Sequence, residues 1–248
     1  MNYFINHFFH ILLYNLNYIF LIDIIMNNKL IILIFIILLL LSLGSEYLSR
    51  IILKYKIKLV EEIFDHEGFI TVDNKMKGEK YNLTYGELTR EGMNKIVKYL
   101  ESKNIRLNDS TFIDLGCGNG KTLAYATVHG FKQARGAEIV EARYEYAERK
   151  RAQLQKKMRD KITIKKSDIF ELPKRYFPSN SVVFVSNLLF PEKTNQELIK
   201  YLSENTQADT IIIISKVPPN LYKLKLIEKI HVPMSWAINS ECYVLGHK

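Results

Sequence analysis

The stretch Phe112-Ile-Asp-Leu-Gly-Cys-Gly-Asn-Gly-Lys-Thr122 determines the predicted fold. An apolar run, Thr111–Leu115, ends at three alternating glycines, and a helical pattern begins at Lys121. This order predicts a buried strand, a tight glycine loop and a helix whose free amino-terminal N–H groups face that loop. Spacing excludes two nucleotide-binding loops. The third glycine comes one residue too early for G-x-G-x-x-G, and Leu115 stands where a phosphate-binding P-loop needs its first glycine.

Strands and helices alternate on both sides of this loop. The patterns predict helices at Thr89–Ser102, Lys121–His129, Glu141–Met158 and Asn195–Ser203, and further strands at Ala134–Glu138, Lys161–Lys165, Ser181–Val185 and Thr210–Ser215. Such alternation is typical of a parallel sheet covered on both faces. Leu226–His231 and Glu241–His247, around a loop at Pro233–Asn239, predict an antiparallel pair at the sheet edge. No long linker interrupts residues 60–248, so we expect one domain there.

Composition excludes several other classes of protein. The 248 residues are 48% hydrophobic and 25% charged, which is typical of a globular chain. Two cysteines, Cys117 and Cys242, are too few for a disulfide framework or a paired-cysteine metal site, and no HExxH motif is present, so we expect no metal. The net charge is +9, and residues 1–48 contain one lysine and two acidic residues, so residues 49–248 carry +10. This predicts a polyanionic partner or a membrane surface.

The first 48 residues differ in character from the rest. Leu30–Leu41 is an unbroken apolar run, and the upstream stretch Tyr3–Met26 is apolar with polar interruptions. We interpret the run as a membrane anchor, with a cleaved signal peptide and a buried core helix as alternatives. Four cations within residues 50–58 follow the run, whereas only Lys29 precedes it, which predicts a membrane protein whose main domain faces the cytoplasm. Loss of the segment would instead leave a nuclear or cytoplasmic protein.

Three acidic residues follow three successive predicted strands. Asp114 lies at the end of the first strand, Glu138 ends the second, and Asp168 follows the third. Because the carboxyl ends of parallel strands meet at one edge of a sheet, we expect the three carboxylates to lie close together. Each acid taken alone is also typical of a helix N-cap or a turn. Their shared register with the glycine loop favours a ligand site.

The D-x-G-x-G-x-G pattern that starts at Asp114 resembles the loop of S-adenosylmethionine-dependent class I methyltransferases. That cofactor has a sulfonium and an ammonium group but no phosphate, which suits an acidic site. By this resemblance Glu138 accepts hydrogen bonds from the ribose hydroxyls, and Asp168 accepts one from the adenine amino group. The implied fold is α/β and Rossmann-like, a mostly parallel seven-stranded sheet with an antiparallel C-terminal strand pair. An N-terminal hydrophobic helix precedes it here.

Residues 81–248 resemble a narrower family, the disruptor-of-telomeric-silencing type of non-SET histone lysine methyltransferase. Four segments support the resemblance: Tyr85-Gly-Glu87, Phe112–Lys121, Ser181-Val-Val-Phe-Val-Ser-Asn-Leu-Leu-Phe190, and Val232-Pro-Met-Ser-Trp236 through Tyr243. The resemblance implies cofactor contacts from Tyr85, Glu87, Asp114, Gly116, Gly118, Gly120, Lys121, Glu138 and Asp168. It implies a lysine channel, the catalytic part of the site, lined by Phe184, Ser186, Phe190, Trp236 and Tyr243. The expected domains are a hydrophobic segment at 1–48, a linker at 49–80 and a methyltransferase domain at 81–248.

The expected function is therefore methyl transfer from S-adenosylmethionine to a protein lysine, by an enzyme anchored to a membrane. Ser186 and Lys121 stand where the family has Asn and Gln. An RNA or small-molecule methyltransferase and a catalytically silent binding module stay as alternatives. Histones are among the candidate acceptor proteins. Nine Lys and Arg residues between Arg149 and Lys166 predict a nucleic-acid contact, or else a solvated helix face.

Overall fold

The computed structural model describes residues 32, 35–36, 39, 41–64 and 86–248. Tyr85, the stretch 3–26 and most of the apolar run 30–41 lie outside these residues, so predictions about them stay predictions. Contacts divide the chain into two units, residues 1–52 and 53–248. The predicted domain boundaries at 48 and 80 also stay predictions. Helix α1 covers residues 41–64.

The predicted membrane location is wrong, as the described helices show. Among the residues that the structure describes, no helix is both long enough and apolar enough to cross a membrane. Helix α1 shows the physical reason, because Glu46, Arg50, Lys54 and further charged residues interrupt its apolar positions. Charges at that density are costly in a bilayer core.

A seven-stranded sheet forms the centre of residues 53–248. Its strands are β1 Thr111–Leu115, β2 Gln133–Glu138, β3 Ile162–Lys166, β4 Ser181–Val185, β5 Ile211–Ile214, β6 Leu224–Met234 and β7 Ala237–His247. The spatial order is β3-β2-β1-β4-β5-β7-β6, with β1 to β5 parallel and β7 antiparallel to both of its neighbours. This confirms the predicted fold class. The strand order reverses between β1 and β4, so we expect the ligand crevice at the carboxyl ends of these two strands.

Helices cover both faces of the sheet. They are α2 Arg90–Ser102, α3 Lys121–Val128, α4 Glu141–Gln153, α5 Lys156–Arg159 and α6 Glu192–Asn205. One buried cluster joins the first sheet face to α2, α3 and the end of α1, and the other joins the second face to α6. Strand β4 shows the alternation, because Val182 and Phe184 belong to the first cluster while Val183 and Val185 belong to the second.

Two elements differ from the sequence-based expectation. The helix predicted over 141–158 is divided, because Leu154 and Gln155 leave the helical conformation and Leu154 is buried in the core. The predicted loop at 233–239 shrinks to a two-residue turn, Ser235-Trp236, because β6 runs to Met234 and β7 begins at Ala237. We call this the β6–β7 turn. Strand β6 forms the outer edge of the sheet and shifts register twice against β7.

Candidate functional site

The glycine loop lies at the carboxyl end of β1, where the crevice is expected. Gly116 and Gly120 have φ angles of +87° and +80°, a left-handed backbone that favours glycine. A Cβ at Gly116 would meet nothing within 4 Å, whereas one at Gly120 would lie 3.2 Å from the Ala147 Cβ. The loop is bound to β2, since the Gly116 amide donates to the Ala137 carbonyl at 2.8 Å. The loop is therefore fixed by the protein on one side and open on the other.

Glu138, at the end of β2, stabilises this loop. Its carboxylate is buried and accepts hydrogen bonds from the amides of Gly118 and Val140, both at 2.8 Å. A carboxylate oxygen has room for more than one donor, so these two bonds leave acceptor capacity. The geometry gives Glu138 a structural role in the loop and leaves it able to accept from a ligand hydroxyl.

Asp114 is the most perturbed of the predicted acids. The side chain is 4% exposed, and burial raises its pKa to about 7. A hydrogen bond with Thr122 lowers that pKa, whereas the nearby charges of Glu138 and Glu87 raise it further. A buried carboxyl between two other acids is stabilised by a positive ligand, because the ligand charge offsets both the desolvation and the repulsion.

The third acid, Asp168, begins a turn beyond β3. Its side chain accepts from the Phe170 amide at 3.0 Å, so it performs the capping role typical of aspartate. The amide of Ser167 donates to the Glu138 carbonyl at 3.1 Å and joins the two strand ends. Ile139, which the sequence analysis missed, is 40% exposed directly after Glu138. The sequence pattern that could have indicated Ile139 is an apolar residue directly after the acid that ends a strand. Its exposed side chain provides an apolar surface next to Glu138.

Glu87 connects a distant part of the chain to the glycine loop. Its Oε1 accepts from the Asn119 Nδ2 at 2.5 Å, and the Asn119 Oδ1 accepts from the Lys121 amide at 2.9 Å. Asn119 was not predicted as a site residue, since nothing in the sequence relates it to a residue 32 positions earlier. Glu87, Gly116, Gly118, Gly120 and Lys121 thus lie in or against one loop, while Tyr85 lies outside the described residues.

The four predicted channel aromatics do not form one cluster. Phe184 is 2% exposed within the core on the first face of the sheet. Phe190 and Tyr243 pack against the core of the second face. Trp236, on the β6–β7 turn, lies against Gly86. Their predicted role in binding an acceptor therefore stays a prediction, and Phe190 and Tyr243 are the two that pack against the same core cluster.

Ser186 is half-buried directly after β4, and its neighbour Asn187 is fully buried. The Asn187 Nδ2 donates to the Asn195 Oδ1 at 2.7 Å and to the Lys216 carbonyl at 2.8 Å. Its Oδ1 accepts from the amides of Ser215 and Lys216 at 2.8 and 3.1 Å. Asn187 therefore fixes the loops after β4 and β5 to each other and positions Ser186 at the crevice.

The basic stretch 149–166 is partly paired within the chain. Arg151, Lys156 and Lys166 form ion pairs with Glu148, Asp160 and Glu141, Lys161 donates to the Phe131 carbonyl, and Lys150 is buried. Paired surface cations contribute less to a long-range positive field than free ones. A nucleic-acid contact through this stretch stays a prediction.

Replacing Gly86 by alanine is expected to displace Trp236. The new Cβ would lie 2.4 Å from the Trp236 Cζ3, so the ring must move outward. Trp236 is the only tryptophan, so its fluorescence should shift to longer wavelength, and cofactor affinity should fall about tenfold as Glu87 moves with its segment. Gly44→Ala is the matched control, because a Cβ there meets nothing within 4 Å. An unchanged emission spectrum in Gly86→Ala would contradict the contact.

Comparison with known proteins identifies the family and the fold. Residues 74–232, more than half of the chain, match the family described as histone methylation protein DOT1. Magnesium protoporphyrin IX methyltransferase from Synechocystis PCC 6803, solved with S-adenosylmethionine bound, is 16% identical with a TM-score of 0.50, over 64% of this chain and 79% of that chain. A putative RNA methyltransferase from Pyrococcus horikoshii is 12% identical with a TM-score of 0.51, over 78% of this chain and 96% of that one.

The methyltransferase domain of bacterial CtHen1 is 19% identical with a TM-score of 0.51, over 64% of this chain and 97% of that chain. At these identities the three structures show a shared fold. No curated protein matches the sequence. Together, the family match and the class I fold confirm the predicted cofactor, S-adenosylmethionine, and the chain belongs to the DOT1 family of histone methylation proteins, as an S-adenosylmethionine-dependent methyltransferase.

Proposed function

We propose that this methyltransferase transfers a methyl group to the side-chain amine of a protein lysine. The observation that supports this most directly is the group of acidic side chains around the glycine loop. The chain also belongs to a family described as histone methylation proteins. The buried Asp114, with a pKa of about 7, favours a positively charged ligand there. The proposed domain for this activity is residues 81–248.

The residues present fit the cofactor. Open space above Gly116 lets the ligand approach the backbone, and Glu138 retains acceptor capacity for the ribose hydroxyls. Asp114 suits the positive charge of the sulfonium and ammonium groups, and Ile139 offers an apolar surface for the adenine. For Asp114, Gly116 and Glu138 these assignments follow the resemblance and add the burial and contacts of each residue. Ile139 is added from its exposure alone.

Methyl transfer needs little acid–base catalysis from the protein. When bound, the cofactor supplies a methyl group on a sulfonium, which a neutral amine takes by in-line displacement. The protein must therefore position the amine and favour its uncharged form. Burial against apolar side chains lowers the pKa of an amine, so a lysine inserted beside Phe190 and Tyr243 loses its proton more readily.

Tyr243 is suited to line such a channel rather than to remove a proton. Its hydroxyl donates to the Glu241 Oε2 at 2.9 Å. That hydrogen bond, together with burial and the charge of Glu241, raises the pKa of the Tyr243 phenol. The phenol is therefore protonated at neutral pH and is not a base there.

Exposed apolar side chains at the same edge of the sheet, Leu188, Leu189 and Trp236, supply a surface for the backbone of an acceptor protein.

The proposed activity is tested with the full chain, tritiated S-adenosylmethionine and either nucleosomes or whole-cell lysate. We expect label on protein that protease removes and nuclease does not, and methyl-lysine after acid hydrolysis. Asp114→Asn is the negative control. Label that nuclease removes would favour the RNA alternative, and cofactor binding without any label would favour the silent module.

A further inference from the structure

Residues 86–89, which precede α2, are fixed to the β6–β7 turn. The Ser235 amide donates to the Glu87 carbonyl at 2.8 Å, and the Glu87 amide donates to the Ser235 Oγ at 2.9 Å. Leu88 forms an antiparallel bridge with Met234, and both side chains are buried. The hydroxyl of Thr89 donates to the Pro233 carbonyl at 2.9 Å. The backbone position of Glu87 is therefore set by the far end of the chain.

Asn119 connects Glu87 to the glycine loop through both ends of its amide. The nitrogen donates to the carboxylate of Glu87, and the oxygen accepts from the Lys121 amide at the start of α3. Gly120, the N-cap of α3, has no side chain to satisfy that helix end, so Asn119 takes over the capping bond. The asparagine amide donates at one end and accepts at the other, whereas an ionised aspartate in its place could only accept.

The charge of Glu87 also acts within the crevice. It is close enough to Asp114 to contribute to the raised pKa of that carboxyl. A displacement of Glu87 therefore changes the field at the ligand position as well as the shape of the loop. The hydrogen-bonded series from Ser235 through Glu87 and Asn119 to Lys121 spans the C-terminal hairpin and the cofactor site. We call this series the Asn119 bridge.

We propose that Asn119 is a positioning residue for the cofactor, and that the Asn119 bridge makes cofactor affinity depend on Ser235 in the β6–β7 turn. This inference rests on the proposed function, because the ligand is its methyl donor. Asn119 acts through the amide of Lys121 and the carboxylate of Glu87, and Ser235 acts through the backbone of Glu87. Gly118 and Gly120 have no side chain, so neither can form the two hydrogen bonds that Asn119 makes to Glu87 and Lys121.

A polarity swap tests the bridge directly. Asn119→Asp places a carboxylate against Glu87, and we expect affinity for S-adenosylmethionine, measured by titration calorimetry, to fall about thirtyfold. In a Glu87→Gln background the same change should cost less than about threefold, because the amide introduced at position 87 donates to the carboxylate introduced at position 119. The bond is then restored with donor and acceptor exchanged. Equal losses in both backgrounds would overturn the proposal.

Two further readouts separate positioning from general structural damage. The loss in Asn119→Asp should shrink as pH falls toward 5, because one of the two facing carboxyls takes up a proton and donates to the other. Ser235→Ala should weaken affinity about threefold to tenfold. Ser240→Ala, in the same hairpin with a hydroxyl 3.4 Å from the Ala237 carbonyl, should leave it unchanged. A loss that is independent of pH, or equal losses in the two serine variants, would contradict the bridge.

Thermal melts without cofactor check that each variant folds. If Asn119→Asp does not melt cooperatively, Asn119→Gln takes its place, because glutamine keeps the donor and the acceptor but lengthens the side chain. Absence of binding by the wild-type chain would reject the cofactor site, and with it the bridge. Binding by the wild type with no coupling between positions 87 and 119 would reject the bridge alone. The two failures are thereby distinguished.

Discussion

Asp114→Asn is expected to weaken S-adenosylmethionine binding at least about 100-fold while stabilising the ligand-free protein at pH 8. The affinity falls because the cationic cofactor loses its buried counter-charge, and hydrogen bonds to charged groups contribute about 1.5–3 kcal/mol each. The stability rises because asparagine removes a buried charge that two neighbouring carboxylates repel. Calorimetry measures the first effect and urea unfolding the second.

The stability effect has a defined pH dependence. The pKa of Asp114 is about 7 when folded, above its ordinary value of 3.8, so the folded state binds more protons between these two values. The stability of the wild type therefore falls as pH rises through that window. The advantage of Asp114→Asn should grow from pH 5 to pH 8 by on the order of 2 kcal/mol.

Binding by the wild type should release a proton for the same reason. A cation beside Asp114 lowers the pKa of the carboxyl, so about half a proton leaves at pH 7. Calorimetry in two buffers of different ionisation enthalpy measures the release. Asp109→Asn is the control for all three results, since Asp109 is exposed and pairs with Arg106 at the surface. An advantage of Asp114→Asn that is equal at pH 5 and pH 8 would contradict the raised pKa.

The second large effect is expected at Asn187. Asn187→Ala should lower the free energy of unfolding by about 3 kcal/mol, because it leaves the amides of Ser215 and Lys216 and the Asn195 Oδ1 without their partner in a buried setting. Urea unfolding of the ligand-free chain measures this. Asn205→Ala, which removes one bond to the Tyr201 carbonyl at a half-buried site, should cost no more than about 1 kcal/mol.

Substitution by aspartate tests the direction of the Asn187 bonds. Asn187→Asp keeps the shape and the acceptor side but faces a carboxylate oxygen toward the Asn195 Oδ1 and the Lys216 carbonyl. It should be at least as destabilising as alanine above neutral pH and less so at pH 5, where the carboxyl takes up a proton. A variant as stable as the wild type at both pH values would show that the four bonds do not stabilise the fold.

Local patterns were sufficient for the centre of the sheet. Strands β1 and β4 were predicted to the residue, because buried parallel strands are continuous apolar runs with sharp ends. The division between α4 and α5 was missed, since burial of Leu154 in a tertiary cluster overrides helical periodicity. The extent of the β6–β7 turn was missed because its order depends on pairing with residues 86–89, far away in sequence.

The candidate site divides in the same way. The roles of Asp114 and Glu138 at the cofactor stay predictions, but their places near the end of β1 and at the end of β2 were foreseen from the sequence. Asn119 and Asn187 were not, because an asparagine in a loop has no local signal that distinguishes a buried bridge from an exposed turn. Phe184 shows a related difficulty, since strand alternation sends it to the opposite face from the core that Phe190 and Tyr243 contact.

The outer strand β6 has a consequence for how molecules of this protein meet. An unpaired strand edge is a template on which another chain can add as a further strand. Here the edge shifts register twice, and its two exposed apolar side chains, Leu226 and Ile227, are flanked by the exposed charges of Lys225, Glu228 and Lys229. Bulges bend the edge and charges oppose close approach of an identical strand, so cross-molecular sheet growth, the route to fibrillar aggregates, is disfavoured at this side.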